Sequence, residues 1–122
     1  MAQILVVDDS STVRTEVGSF LSGQGLSVAY AVDGRDALGK LRADAGIKLV
    51  LCDVNMPNLD GLSMAEKVRS ELRNQAVNII MLTTESSPSM KERGKAAGVK
   101  GWIVKPFNGP AVIGSVRKLV GG

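Results

Sequence analysis

No histidine occurs among the 122 residues, and that absence removes more chemistry than any other feature of the composition. It excludes the common zinc sites, every Ser-His or Cys-His nucleophile pair, and a phosphohistidine on this chain. A metal held here must then be a hard cation bound through oxygen. The single cysteine, Cys52, can close no internal disulfide and lies in an apolar run, which fits a reducing cytoplasm. Four aromatic residues (one Trp, one Tyr, two Phe) make no stacking platform. A net charge of +3, scattered along the chain, gives no footprint for nucleic acid. No apolar stretch approaches the ~18 residues of a membrane span. The N-terminus carries no basic segment and its apolar run stops at Asp8, so neither a signal peptide nor a membrane partner is expected.

What is present is the composition of one ordinary globular domain over residues 1–122, with 44% hydrophobic and 22% charged residues, long enough to bury a core. Residues 3–7 predict a first strand. Ser10 or Ser11 can cap a helix in which Val13, Val17, Phe20 and Leu21 recur at helical spacing, ended by Gly23 and Gly25. Leu26 to Tyr30 alternates like a half-exposed edge strand. Asp33-Gly34 opens a second helix with Ala37, Leu38 and Leu41 inward, closed by Gly46. Lys48 to Cys52 is unbroken and apolar after its lysine, as a strand buried on both faces would be. A turn-rich loop from Asn55 to Gly61 follows. A third helix carries Leu62, Ala65, Val68 and Leu72, and Val77–Leu82 predicts a fourth strand. Ser87-Pro88 opens a fourth helix. Its apolar face (Met90, Ala97) is thin and interrupted by Gly94, which marks it as the least rigid. Gly101–Val104 predicts the fifth strand, and Asn108 caps a last helix with Val112, Ile113, Val116, Leu119 and Val120. Strict βα alternation implies an α/β fold, a doubly wound five-stranded parallel sheet with five helices on its two faces.

Ligand sites in such sheets lie beyond the carboxyl ends of the strands. Here those ends read Asp8-Asp9, Asp53, Thr83-Thr84-Glu85 and Lys105-Pro106. Three acids, a hydroxyl and an ammonium therefore converge on one edge. Each also has a plainer reading: Asp8, Asp9 and Asp53 as helix or turn caps, Thr83 as a strand-end hydroxyl, Lys105 as a solvated loop lysine.

From Ile4 to Leu119 the sequence resembles the receiver domain of two-component response regulators. The resemblance rests on Val7-Asp8-Asp9-Ser10, Asp53-Val54-Asn55-Met56-Pro57 with Asp60-Gly61, Leu82-Thr83 and Lys105-Pro106-Phe107. Within that family it is most similar to the stand-alone chemotaxis regulators, and it implies the flavodoxin-like strand order 2-1-3-4-5. The resemblance also assigns roles. Asp53 takes a phosphoryl group from a histidine kinase. Asp8, Asp9, Asp53 and the main-chain carbonyl of Asn55 bind Mg²⁺. Lys105, aimed inward by a cis bond to Pro106, and Thr83 contact the phosphoryl oxygens. Asn55 and Glu85 set the lifetime of the acyl phosphate, with a phosphatase as a further partner. Trp102 stands where the family carries a switching tyrosine or phenylalanine. Tryptophan is bulkier and has an N–H to satisfy, so a ring packed statically on the last strand is the competing reading. Lys91, Lys95 and Lys100 read first as a solvated face.

The resemblance implies a monomeric cytoplasmic phosphoprotein of signal transduction that catalyses only its own phosphorylation and dephosphorylation. Its output would be protein binding, at the flagellar motor switch or another effector. A phosphorelay intermediate or a phosphate sink uses the same chemistry. A Mg²⁺-dependent phosphatase of the haloacid-dehalogenase type would need an aspartate two residues after Asp53, where Asn55 stands. A flavodoxin-like FMN carrier would need a first loop that welcomes phosphate, whereas Asp8-Asp9 repels one.

Overall fold

Three unbroken apolar runs form the centre of the sheet, because a strand covered by helices on both faces has no polar side to keep. The computed structural model describes residues 2–121. Its elements alternate strictly: β1 (Ile4–Val7), α1 (Ser11–Gly23), β2 (Val28–Ala31), α2 (Gly34–Ala43), β3 (Leu49–Cys52), α3 (Gly61–Ser70), β4 (Asn78–Thr83), α4 (Pro88–Ala96), β5 (Val99–Val104) and α5 (Gly109–Val120). All pairings are parallel, in the expected order β2-β1-β3-β4-β5. Among the described residues no helix is long and apolar enough to cross a membrane.

Side chains alternate across the central strands and build two cores. Leu5, Val7, Val50, Cys52, Ile79 and Met81 face α2 and α3. Ile4, Val6, Leu49, Leu51, Ile80 and Leu82 face α1 and α5. Each fully buried aliphatic side chain contributes roughly 1.5–3 kcal/mol, so the sheet is a rigid platform. All five helices begin on a short polar side chain that accepts a main-chain N–H: Ser10, Asp33, Asp60, Ser87 and Asn108. Each such cap is worth about 1 kcal/mol. Ser10 settles the choice left open for α1, and neither Asp8 nor Asp9 is used as its cap.

Several boundaries differ from the sequence reading. β2 starts at Val28, because Leu26 sits in the Schellman-type turn after Gly25 (φ 82°), donating its N–H to Leu21. β4 is shifted one residue, and β5 begins two residues early at Val99. There Ile79 pairs with Val99 and Ile80 with Gly101, so a bulge leaves exposed Lys100 without a partner position. α2 stops at Ala43 with Asp44 as its cap, and Gly46 donates its N–H to that cap's carboxylate. Leu72 lies just beyond α3 yet still packs on the core. The thin face of α4 is confirmed, with Gly94 as its one buried residue.

α4 is instead held by polar contacts. Arg93 grips Glu66 of α3 through two N–H groups at 2.9 and 2.8 Å. The fork of Arg69 donates to the carbonyls of Asn74, Val77, Ala97 and Gly98. It thereby fastens the end of α3 to the turn after α4.

Gly61 is where the backbone itself approaches the site, since a Cβ there would collide with the Asp53 carbonyl. Gly61→Ala is therefore expected to cost about 2–3 kcal/mol in urea unfolding. Gly39→Ala and Gly114→Ala, in helices with open space around them, should each add about 0.5–1 kcal/mol. A neutral Gly61→Ala would refute this account of the loop.

Candidate functional site

The hydrogen-bond ladder runs one residue past the central strands and sets the site in register. Asp8 donates its N–H to Ala31, Asp53 to Val7, and Lys105 to Thr83. Asp8, Asp53, Thr83 and Lys105 thus emerge side by side from four neighbouring strands. Asp8 (2% exposed), Asp53 (8%) and Thr83 (0%) are the buried polar residues here, while Asp9 is exposed.

Asp8, Asp9 and Asp53 each bring an oxygen within 4.8 Å of the others. Lys105 Nζ bridges two of them, 2.8 Å from Asp8 Oδ2 and 3.2 Å from Asp53 Oδ2. The Lys105–Pro106 bond is cis, as the resemblance implied. Burial works against the charge on Lys105, but hydrogen bonds and Coulomb attraction to Asp8 and Asp53 outweigh it and raise its pKa. Three carboxylates face one ammonium. The excess negative charge and the all-oxygen donor set fit a hard divalent cation. The same cluster pushes up the neighbouring Cys52 thiol, after burial itself, so Cys52 is an inert core residue.

The remaining predicted residues meet through Glu85. Its N–H donates to Thr83 Oγ1 at 3.1 Å, and its carboxylate accepts from Asn55 Nδ2 at 3.0 Å. Its carbonyl accepts the indole N–H of Trp102 at 2.7 Å. Because Thr83 Oγ1 is an acceptor in this contact, its own proton remains available to donate. Trp102 is half-buried with its donor satisfied, and its ring packs over Gly94, where an added Cβ would lie 3.1 Å from Cζ3. Lys91, Lys95 and Lys100 are all exposed.

One participant, and one role of a residue already named, escaped the sequence reading. Arg14 donates to the Asp8 carbonyl at 2.6 Å, and its position one turn into α1, facing the strand-end acids, was the available signal. The link from Thr83 to Trp102 is made by the main chain of Glu85, for which side-chain identity gives no signal.

The chain matches the response regulator receiver domain over residues 4–117. It is 41% identical to chemotaxis protein CheY1 of Helicobacter pylori, over 98% of this chain and 97% of that protein. It is 30% identical to protein PilG of Pseudomonas aeruginosa, over 94% and 84% of the two. Among solved structures, chemotaxis protein CheY4 of Vibrio cholerae superposes with a TM-score of 0.88 at 39% identity, covering 98% of each chain. A CheY-like receiver domain from Methanospirillum hungatei gives 0.90 at 25% identity, over 99% and 94%.

Removing the bridging cation should cost on the order of 2 kcal/mol for Lys105→Met at pH 7 in chelator. The contribution of Lys105 is full below its ordinary pKa of 10.5 and is lost as pH rises through the higher folded value. The two unfolding curves should therefore converge at strongly alkaline pH, and a constant gap would rule out the pairing. Asp9→Asn has the opposite sign. Relief of carboxylate repulsion should raise the stability of metal-free protein by about 0.5–1 kcal/mol, and a loss of stability would contradict it.

Proposed function

The chain belongs to the response regulator receiver domain family, and from that premise we propose that it accepts a phosphoryl group on Asp53 and signals by binding a protein effector. The observation that carries this reading is the single ammonium of Lys105 bridging Asp8 and Asp53 at strand ends. Phosphoryl transfer asks a protein for positioning and charge neutralisation more than for covalent chemistry of its own.

In the proposed reaction an Asp53 carboxylate oxygen attacks the phosphorus of a phosphohistidine on a histidine kinase. A P–O bond forms in line as the P–N bond breaks, and the electron pair leaves with the imidazole nitrogen. Asp8, Asp9, Asp53 and the main-chain carbonyl of Asn55 would hold Mg²⁺. When bound, the ion supplies positive charge to the phosphoryl oxygens. Lys105 shifts its hydrogen bond from Asp53 to a phosphoryl oxygen, and Thr83 donates its hydroxyl to another. Asn55 and Glu85, joined side chain to side chain, stand at the mouth and limit how water reaches the acyl phosphate. The chain thus catalyses only its own phosphorylation and dephosphorylation.

Thr83, Glu85 and Trp102 form one hydrogen-bonded series, which supports reading phosphorylation as a population shift of the α4–β5–α5 face. The proposal is a monomeric, cytoplasmic receiver domain spanning the chain. The identity to a chemotaxis protein supports the flagellar motor switch as effector, with a relay or sink role as the second reading.

Trp102 is the sole tryptophan, so its fluorescence reports on the site. Titration with Mg²⁺ and beryllium fluoride, a phosphoryl mimic, should change its emission. The affinity for an N-terminal peptide of a flagellar switch protein should then rise about 5- to 100-fold, and Asp53→Asn should abolish that gain. An emission change without a gain in peptide affinity would turn the reading to relay or sink. No response to mimic or metal would overturn phosphorylation at Asp53.

A further inference from the structure

The loop carrying Asn55 is anchored at a point away from the cluster of Asp8, Asp9, Asp53 and Lys105. Asp33, 8% exposed, uses its two oxygens for different tasks. Oδ1 accepts the N–H of Asp36 at 2.8 Å and so caps α2. Oδ2 accepts Nδ2 of Asn58 at 2.7 Å, across 25 residues of sequence. Asn58 is left-handed (φ 68°), a conformation asparagine adopts more readily than most residues. The next carbonyl, of Leu59, accepts the N–H of Gly34 at 3.1 Å. The loop presses so closely there that a Cβ on Gly34 would lie 2.5 Å from that oxygen. On its inner side the loop is closed by Gly61 N–H to the Val54 carbonyl at 2.9 Å. Asn55, Met56 and Pro57 therefore arch between two fixed points, one at the sheet and one at the start of α2.

We propose that Asp33 and Asn58 are positioning residues for the metal-binding loop, holding the main chain of Asn55 where it can serve the cation. This inference rests on the functional reading above. A free arch must be ordered when the ion binds, at an entropic cost for each residue fixed; a loop already latched to α2 has met that cost in folding. Cation affinity is thereby set in part from α2, on the side of the molecule away from α5.

Asp33→Asn separates the latch from the cap. Asparagine caps a helix about as well as aspartate, but it replaces the charged acceptor of the Asn58 amide with a neutral group, whose hydrogen bond is weaker and requires that amide to flip. In metal-free protein, amide hydrogen exchange at Gly34 should accelerate at least tenfold. By calorimetry, Mg²⁺ affinity should fall about three- to tenfold. Asn58→Gly, which keeps the left-handed backbone and deletes the amide, should do the same. The exchanged pair Asp33→Asn with Asn58→Asp restores donor, acceptor and net charge, and should recover most of the affinity. Wild-type affinity in both single variants, or no recovery in the exchanged pair, overturns the latch. A wild-type protein that binds no Mg²⁺ overturns the functional reading, and the latch with it.

Discussion

Everything at the functional edge follows from placing acidic groups where a buried sheet ends. Between their ends β1, β3 and β4 have no freedom to be polar, because helices cover both faces. Charge can appear where the strands emerge, and there Asp8 and Asp53 are brought together by the same ladder that makes the sheet rigid. Carboxylates held this way cannot drift apart to relieve their repulsion. Lys105 is the compensating partner, and its attraction to the two acids raises its pKa against the cost of burial. The platform thus keeps a small region of uncompensated negative charge. That is unfavourable for folding and favours a bound cation.

Much of this was legible in the chain itself. Continuous apolar runs such as Leu49–Cys52 can be read as central strands, since burial on both faces leaves an unmistakable pattern. The polar residues ending those runs then fall on one edge by topology alone. Four of the five helix starts were marked by short polar residues whose caps the structure contains, while Asp60, read only as part of a turn, caps the third helix. Less legible were elements whose ends are decided by tertiary contacts. β5 begins at Val99 because a bulge absorbs Lys100, which looks like loop in sequence. Leu26 alternates like a strand residue but is drawn into the turn after α1. Contacts between distant segments, such as Asp33 with Asn58 or Arg69 with four carbonyls, have no local signature at all.

Glu85 shows how a single residue can join groups that sequence places on three separate elements. Its N–H, carboxylate and carbonyl each engage a different partner: Thr83, Asn55 and Trp102. A shift of the threonine hydroxyl toward a new acceptor would disturb the same backbone that holds the indole. The two readings of Trp102, switch and static packing, are then less opposed than they first appear. The ring is tied in place, but through a peptide group hydrogen-bonded to Thr83 at the edge that carries the acidic cluster. Coupling of this kind needs no long pathway, since site and face share one residue.

The way α4 is held has a further consequence for energetics. This helix buries Gly94 and little else, and its grip on the body comes from Arg93 with Glu66 and from the Arg69 fork at its exit. Apolar surface exposed to water is what gives a conformational change its large heat capacity. A transition that moves α4 uncovers little such surface, so its enthalpy stays nearly constant with temperature. The balance of such a transition would then follow a straight van't Hoff line as the surroundings warm or cool. It also responds to salt, which screens the exposed Arg93–Glu66 pair.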